Sequence, residues 1–176
     1  MEVSPKTRWI HTFGMTETYS HFAFRIFGDD LFQLIDQTEI CMVENGLKIK
    51  NPCTKMQWLQ TNDLVKIIGN NSFKWEGRMD FTINSGGIKI QLEAIERMIH
   101  SELNWPLNSF FCWWKSDKLL GQKLIVCTLS KNPIPQNWNF LPRYHEPKEI
   151  IIIPNLAFST TGKLLRKESF LSFNEK

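Results

Sequence analysis

Four short segments carry side chains suited to phosphate, a hard cation and developing negative charge. In Phe13-Gly14-Met15-Thr16-Glu17, the glycine lets backbone approach a ligand and the threonine hydroxyl can bond a phosphate oxygen. The glutamate is a hard oxygen ligand of the kind Mg²⁺ takes, and the flat ring of Phe13 can stack on a base. Thr61-Asn62-Asp63-Leu64 supplies a carboxylate whose two oxygens can accept from two neighbouring hydroxyls. Gly77-Arg78-Met79-Asp80 sets a cation and an acid at a turn, with Asn84-Ser85-Gly86-Gly87 shortly after. Thr161-Gly162-Lys163 puts a compact, mobile ammonium behind a glycine. Each segment also has a plain structural reading. Thr16 and Glu17 can be the polar start of a capped helix, Asp63 a loop aspartate, Gly86-Gly87 a hairpin turn, and Lys163 a solvated charge.

The elements that must hold these residues change character near residue 80. Before it the pattern is β only. Arg8–Phe13 reads as a strand ending in a tight turn at Gly14. Leu31–Ile35, Ile40–Val43 and Leu47–Ile49 read as strands of a small antiparallel sheet or barrel. Leu64–Ile68 and Phe73–Trp75 form a hairpin across Gly69-Asn70-Asn71. After it, Phe81–Ile83 and Ile88–Ile90 read as a hairpin. Gln91–Leu103 reads as a helix with Leu92, Ile95, Ile99 and Leu103 along one stripe, Glu93 and Arg97 paired on another side, and Pro106 as its stop. Phe110–Trp114, Leu124–Leu129 and Ile150–Ile153 are almost continuously apolar, as strands covered on both faces are. Arg143–Lys148 connects to the last of them, and Leu164–Phe173 begins a short terminal helix. A domain boundary is expected at Asp80, giving 1–79 and 80–176.

Composition removes several classes of function. The chain has 176 residues with a net charge of +3, too mild an excess to imply more than a solvated surface. Its seven tryptophans are not interleaved with a Lys/Arg block, which argues against nucleic acid, and Trp105, Trp113 and Trp114 read as a packed aromatic core. No apolar run reaches the roughly 18 residues of a membrane helix, and the N-terminus lacks a signal-peptide layout, so a cytoplasmic protein is expected. The four cysteines show neither CxxC pairing nor metal spacing, and Cys112 and Cys127 read as inert buried thiols.

Taken in order, the segments resemble the later motifs of the AMP-forming acyl-CoA synthetase (adenylate-forming) superfamily. Thr12–Thr18, Thr61-Asn62-Asp63 and Phe81–Lys89 look most like the o-succinylbenzoate–CoA ligases of menaquinone synthesis. The Ser/Thr/Gly-rich phosphate loop that the family carries upstream is absent. The resemblance therefore implies an α/β (α+β) fold in two parts. Residues 1–79 would be the distal, β-rich remnant of the large N-terminal adenylating domain, and 80–176 the compact, mobile C-terminal α/β domain, with a missing N-terminal portion of the same enzyme as partner.

Site roles follow from the same resemblance. Phe13 and Gly14 would line the adenine side, although many relatives have tyrosine at the position of Phe13. Thr16 would hold phosphate, Glu17 Mg²⁺, Asp63 the ribose hydroxyls, and Arg78 the ribose or phosphates of ATP. Asn62 replaces the family's glycine, a position that asparagine can fill if the turn is left-handed. Asp80 would be the hinge about which the C-terminal domain rotates between adenylation and thioester formation. Gly86 and Gly87 would line the tunnel for coenzyme A. Lys163 would bridge the attacking carboxylate and the α-phosphate, and Ser20 and His21 would face the acid. The isolated chain is expected to be inactive. Two alternatives stay open: a ligase for another aryl or fatty acid, and a non-catalytic relative that binds a nucleotide or a protein.

Overall fold

The computed structural model describes residues 7–43, 46–129 and 131–174, so the outer ends of both expected domains, at residues 1 and 176, lie outside the described residues. The chain divides into two compact units, Met1–Asp80 and Phe81–Lys176.

Among the described residues, the first unit contains strands and 3-10 turns only. Strands β1 (Ile10–Gly14), β2 (His21–Ile26), β3 (Leu31–Leu34), β4 (Glu39–Val43), β5 (Gly46–Lys50), β6 (Leu59–Gln60), β7 (Asp63–Ile68) and β8 (Ser72–Arg78) form two antiparallel sheets. One runs β1-β2-β3-β8-β7 and the other β4-β5-β6, so the single small sheet or barrel expected from sequence is in fact two sheets. The separation comes from β3 pairing with β8, a long-range contact that carries no local signal. Phe22, Phe32, Leu47, Ile49, Val65 and Phe73 are buried between the sheets. Phe13 joins them edge-on, with ring centroids 5.4, 5.1 and 5.5 Å from those of Phe22, Phe32 and Phe73. Edge-to-face aromatic packing of this kind adds to plain burial.

The second unit is mixed. Strands β9 (Thr82–Ser85) and β10 (Ile88–Gln91) make the expected hairpin, with Phe81 left in a 3-10 turn, Met79–Phe81, instead of in the strand. Helix α1 (Leu92–Leu103) follows, with Leu92, Ile95 and Ile99 buried. It stops at Asn104, which takes a left-handed conformation two residues ahead of Pro106. Strand β11 (Phe110–Asp117) pairs antiparallel with β12 (Gly121–Leu129), and β13 (Glu149–Ile153) pairs parallel with β12. Helix α2 (Arg166–Asn174) closes the unit. Strand β12 is covered on both faces as its sequence implies. Leu124 and Val126 point into a core with α1, Trp105 and Trp138, and Ile125 and Cys127 into a second core with Phe111, Ile151 and Ile153. Together the units make a sheet-dominated α+β chain.

None of the four cysteines is in a disulfide. Burial pushes the Cys112 thiol well up and the Cys127 thiol up to about 12. Since the thiolate is the nucleophile, only about one part in ten thousand of Cys127 is reactive at pH 8. A time course of alkylation at that pH, followed by mass spectrometry, is expected to modify exposed Cys53 first and half-buried Cys41 later. Cys112 and Cys127 should remain unmodified until the chain is unfolded. Early modification of either would contradict the packing.

Candidate functional site

The first motif sits on β1 and the 3-10 turn Thr16–Thr18. The turn is locked by Thr18, which is buried. Its hydroxyl donates to the Ser20 carbonyl at 2.6 Å, lies 3.0 Å from the Met15 carbonyl and accepts from the Met15 amide at 3.2 Å. Sequence reasoning missed this role because Thr18 looks like one more polar residue in the run. With Thr18 anchoring the turn, Thr16 and Glu17 are left exposed on its outer side. Gly14 is not in the positive-φ conformation that a glycine turn requires. A Cβ there would lie 2.6 Å from the Ser20 carbonyl oxygen and 2.7 Å from the His21 Cα, so glycine is needed for close approach within the chain. The expectation of a glycine turn at this position is corrected accordingly. Phe13 is engaged by three core rings, which gives it a packing role that the sequence reading did not assign. Ser20 and His21 are exposed, with Ser20 Oγ 3.2 Å from His21 Nδ1. Tyr19, also unremarked in the sequence, closes the turn at φ 56° and is 85% exposed.

Asp63, Arg78 and Asp80 come together through an irregularity in the β7–β8 pair. Asp63 lies opposite Arg78 and Val65 opposite Trp75, with a register shift between them that leaves Glu76 as the extra residue. In a regular strand residues 75 and 78 would point to opposite faces. The bulge puts both on the face of Asp63, as bulges beside functional groups commonly do. Trp75 Nε1 donates to Asp63 Oδ1 at 3.1 Å, and Arg78 Nη1 lies 4.0 Å from Asp63 Oδ2. Arg78 Nη2 donates to Asp80 Oδ2 at 2.7 Å. The Asp63 amide is held by Thr61 Oγ1 at 3.1 Å, and the Asn62 carbonyl accepts from the Met79 amide at 2.7 Å. Asn62 itself has no positive φ, so its replacement of glycine needs no left-handed turn, contrary to expectation. The result is a buried carboxylate beside a half-exposed guanidinium.

The other two predicted segments belong to the second unit, on separate hairpins. Gly86 and Gly87 have φ of 60° and 87° and form the two-residue turn between β9 and β10. Positive φ at both central residues is what a type I′ hairpin turn demands. The Gly86 amide also donates to the Leu120 carbonyl at 2.9 Å, tying the turn to the β11–β12 connection. Lys163 is exposed near the end of a tight loop, Ser159 to Lys163, closed by the Phe158–Leu164 bridge. Within it the Ser159 amide donates to the Lys163 carbonyl at 2.8 Å, the Gly162 amide to the Ser159 carbonyl at 2.9 Å, and the Lys163 amide to Ser159 Oγ at 3.0 Å. The Lys163 ammonium makes no ion pair among the described residues.

A metal can be weighed only against the donors present. Among the described residues no group of three or more His, Cys, Asp and Glu could enclose a cation. Glu17 offers one exposed carboxylate. That fits Mg²⁺, which is commonly bound by one or two carboxylates together with a substrate's phosphates, and does not fit a closed structural site. No helix among the described residues is long and apolar enough to cross a membrane.

No protein-family model matches the chain. It is 27% identical over 130 residues to acyl-CoA synthetase ALT10 of Alternaria alternata, a match covering 67% of this chain and 22% of that protein. It is 34% identical to an acyl-CoA synthetase (AMP-forming)/AMP-acid ligase II-like protein of Dyadobacter fermentans, over 95% of this chain and 51% of that one, with a TM-score of 0.47. With the o-succinylbenzoate coenzyme A synthetase of Bacillus subtilis, solved with ATP and a magnesium ion, the TM-score is 0.75 at 19% identity. That match covers 93% of this chain and 41% of the Bacillus chain. The chain thus spans from about a fifth to about half the length of these relatives. Its fold matches a fragment of the adenylate-forming enzymes, and its sequence is similar to that of an acyl-CoA synthetase.

Proposed function

We propose that this chain is the distal part of a ligase that joins a carboxylic acid to coenzyme A through an acyl-adenylate, spending ATP. The observation that carries the reading is the β7–β8 bulge, which sets Trp75 and Arg78 against the buried Asp63. A carboxylate so fixed, with one oxygen on an indole N–H and the other facing a guanidinium, is suited to accept from a ribose diol. Arg78 then serves the ribose or the phosphates, Thr16 a phosphate oxygen, and Glu17 Mg²⁺ together with the phosphates. When bound, the cation neutralises phosphate charge; the chain's part is to present one carboxylate to it. Lys163 supplies positive charge to the carboxylate and α-phosphate during adenylation. Asp80 is the hinge residue, and Gly86 and Gly87 give the narrow backbone along which pantetheine passes. Residues 1–79 belong to the adenylating domain and 80–176 to the mobile domain.

The acid we propose is o-succinylbenzoate, and the setting is menaquinone synthesis in the cytoplasm. This rests on the segments Thr12–Thr18, Thr61–Asp63 and Phe81–Lys89 and agrees with the substrate named for the Bacillus neighbour.

The test is thioester formation from o-succinylbenzoate, ATP, Mg²⁺ and coenzyme A, followed by mass detection. The 176-residue chain alone is expected to give none, because oriented groups of the phosphate loop and acid pocket would be missing, and loss of orientation costs orders of magnitude in rate. Fused or mixed with an upstream portion bearing that loop, it is expected to give the o-succinylbenzoyl thioester. Thioester made by the chain alone would refute the need for an upstream portion. No thioester from the completed protein with any acid would refute the ligase reading.

A further inference from the structure

The Lys163 loop is short and exposed, and it leads into α2, whose Phe170 packs, together with Leu164 just after the loop, on the core of Phe111, Ile125 and Ile153. Among the α2 residues whose burial is described, Ser169 alone is fully buried, while Leu171 and Phe173 are 44% and 37% exposed. Beside that apolar contact, polar bonds fix the base of the loop. Arg166, three residues beyond Lys163, makes a two-pronged bond to Glu96 of α1, Nε to Oε1 at 3.0 Å and Nη2 to Oε2 at 2.7 Å. Glu96 Oε1 also accepts from the Cys112 amide of β11 at 2.9 Å, and the Arg166 guanidinium lies over the Phe81 ring, 4.5 Å from its centroid. Both side chains are largely shielded, at 14% and 15% exposure. Hydrogen bonds and charge from Glu96 raise the Arg166 pKa despite burial. On the far side of the loop, the Ala157 amide donates to Ser169 Oγ at 2.8 Å and the Leu165 amide to the Ala157 carbonyl at 2.9 Å.

We propose that Glu96 is a positioning residue for Lys163: through the Arg166 fork it ties the loop base to α1 and β11 and so holds the ammonium in one place. The proposal rests on the reading of Lys163 as the adenylation cation, and its test does not depend on catalysis. A shielded, two-bond guanidinium–carboxylate pair gives orientation that a point charge cannot. Glu96 stands four residues after Leu92 and three before Ile99, on the apolar side of α1. A carboxylate there is costly unless it is paired, and in this fold the partner is Arg166.

Hydrogen–deuterium exchange on the 176-residue chain tests this in Arg166→Lys and Glu96→Gln. Gln retains an acceptor for the Cys112 amide, so it keeps that contact while removing the charge. Loss of hydrogen bonds to a charged group predicts amide exchange at Ser159, Gly162 and Lys163 that is faster by about 10–100-fold in both variants, with β11 and β12 amides unchanged. Unchanged loop exchange in both variants would overturn the proposal. So would equal acceleration throughout β11 and β12, which would reduce the pair to a contributor to general stability. Should Arg166→Lys fail to fold, Glu96→Gln decides alone. If the loop loosens as expected but Lys163→Ala retains adenylation, the positioning stands and the catalytic reading of Lys163 falls.

Discussion

Replacing Lys163 by alanine in the completed ligase is expected to slow acyl-adenylate formation by about 10²–10³-fold, the usual loss when one preorganised charge-stabilising group is removed from an active site. The second half-reaction, thioester formation from a supplied acyl-adenylate, should stay within about threefold of the parent, because on this reading no group on Lys163 takes part in it. The exposure of Lys163 makes the experiment clean. Its side chain leaves no cavity when truncated, and the loop is held by backbone and Ser159 hydrogen bonds that alanine preserves. Pyrophosphate exchange into ATP reads the first step and release of AMP from the supplied adenylate reads the second. Equal loss in both, or loss in neither, would remove Lys163 from the adenylation role. Lys163→Arg should recover little, since a planar guanidinium does not replace a compact ammonium bridging two oxyanions.

The periodic parts of the fold were legible in the residues. The stripe of Leu92, Ile95 and Ile99 is buried as its spacing demands, and the unbroken apolar run of β12 is covered on both faces. The similar run of β13 is not: it pairs with β12 alone and Ile152 is 51% exposed, contrary to the expectation of a strand covered on both faces. What could not be read is long-range pairing. Nothing near Leu31 or Phe73 announces that β3 and β8 are neighbours, so local pattern alone does not separate the two sheets. Local chemistry also misled where one residue type serves two ends. Gly14 looked like a turn glycine and is a close-approach glycine, and Phe13 looked like a free stacking ring and is fixed among three others. Asn62 looked like a left-handed substitute for glycine and sits in ordinary backbone. Glu96 left a signal that went unused: an acid in line with Leu92 and Ile99 on the apolar side of a helix requires a buried partner. The bulge at Glu76 left none, because the extra residue appears only once the register of both strands is known.

Asp63 separates structural from functional roles most sharply, through two substitutions with different consequences. Asp63→Ala removes the acceptor of the Trp75 indole N–H and the anion beside Arg78, in a position that is 6% exposed. Losing this hydrogen bond to a shielded carboxylate is expected to cost about 1–3 kcal/mol, seen as a lowered midpoint in urea or thermal unfolding. Asp63→Asn keeps an oxygen for Trp75 in a side chain of the same shape, so its midpoint should lie closer to that of the parent. Its charge is nevertheless gone, and its NH₂ now faces either Arg78 or the ligand with a donor in place of an acceptor. If Asp63 grips a ribose diol, both variants should bind an adenylate analogue about 10–100-fold more weakly by calorimetry in the completed protein, although only one of them is markedly destabilised. Affinity that tracks stability, falling in Asp63→Ala and preserved in Asp63→Asn, would make the carboxylate a clamp for Trp75 and Arg78 alone. The ribose assignment would then move to another group on the same face, and Arg78, already paired at 2.7 Å with Asp80, would be the first to examine.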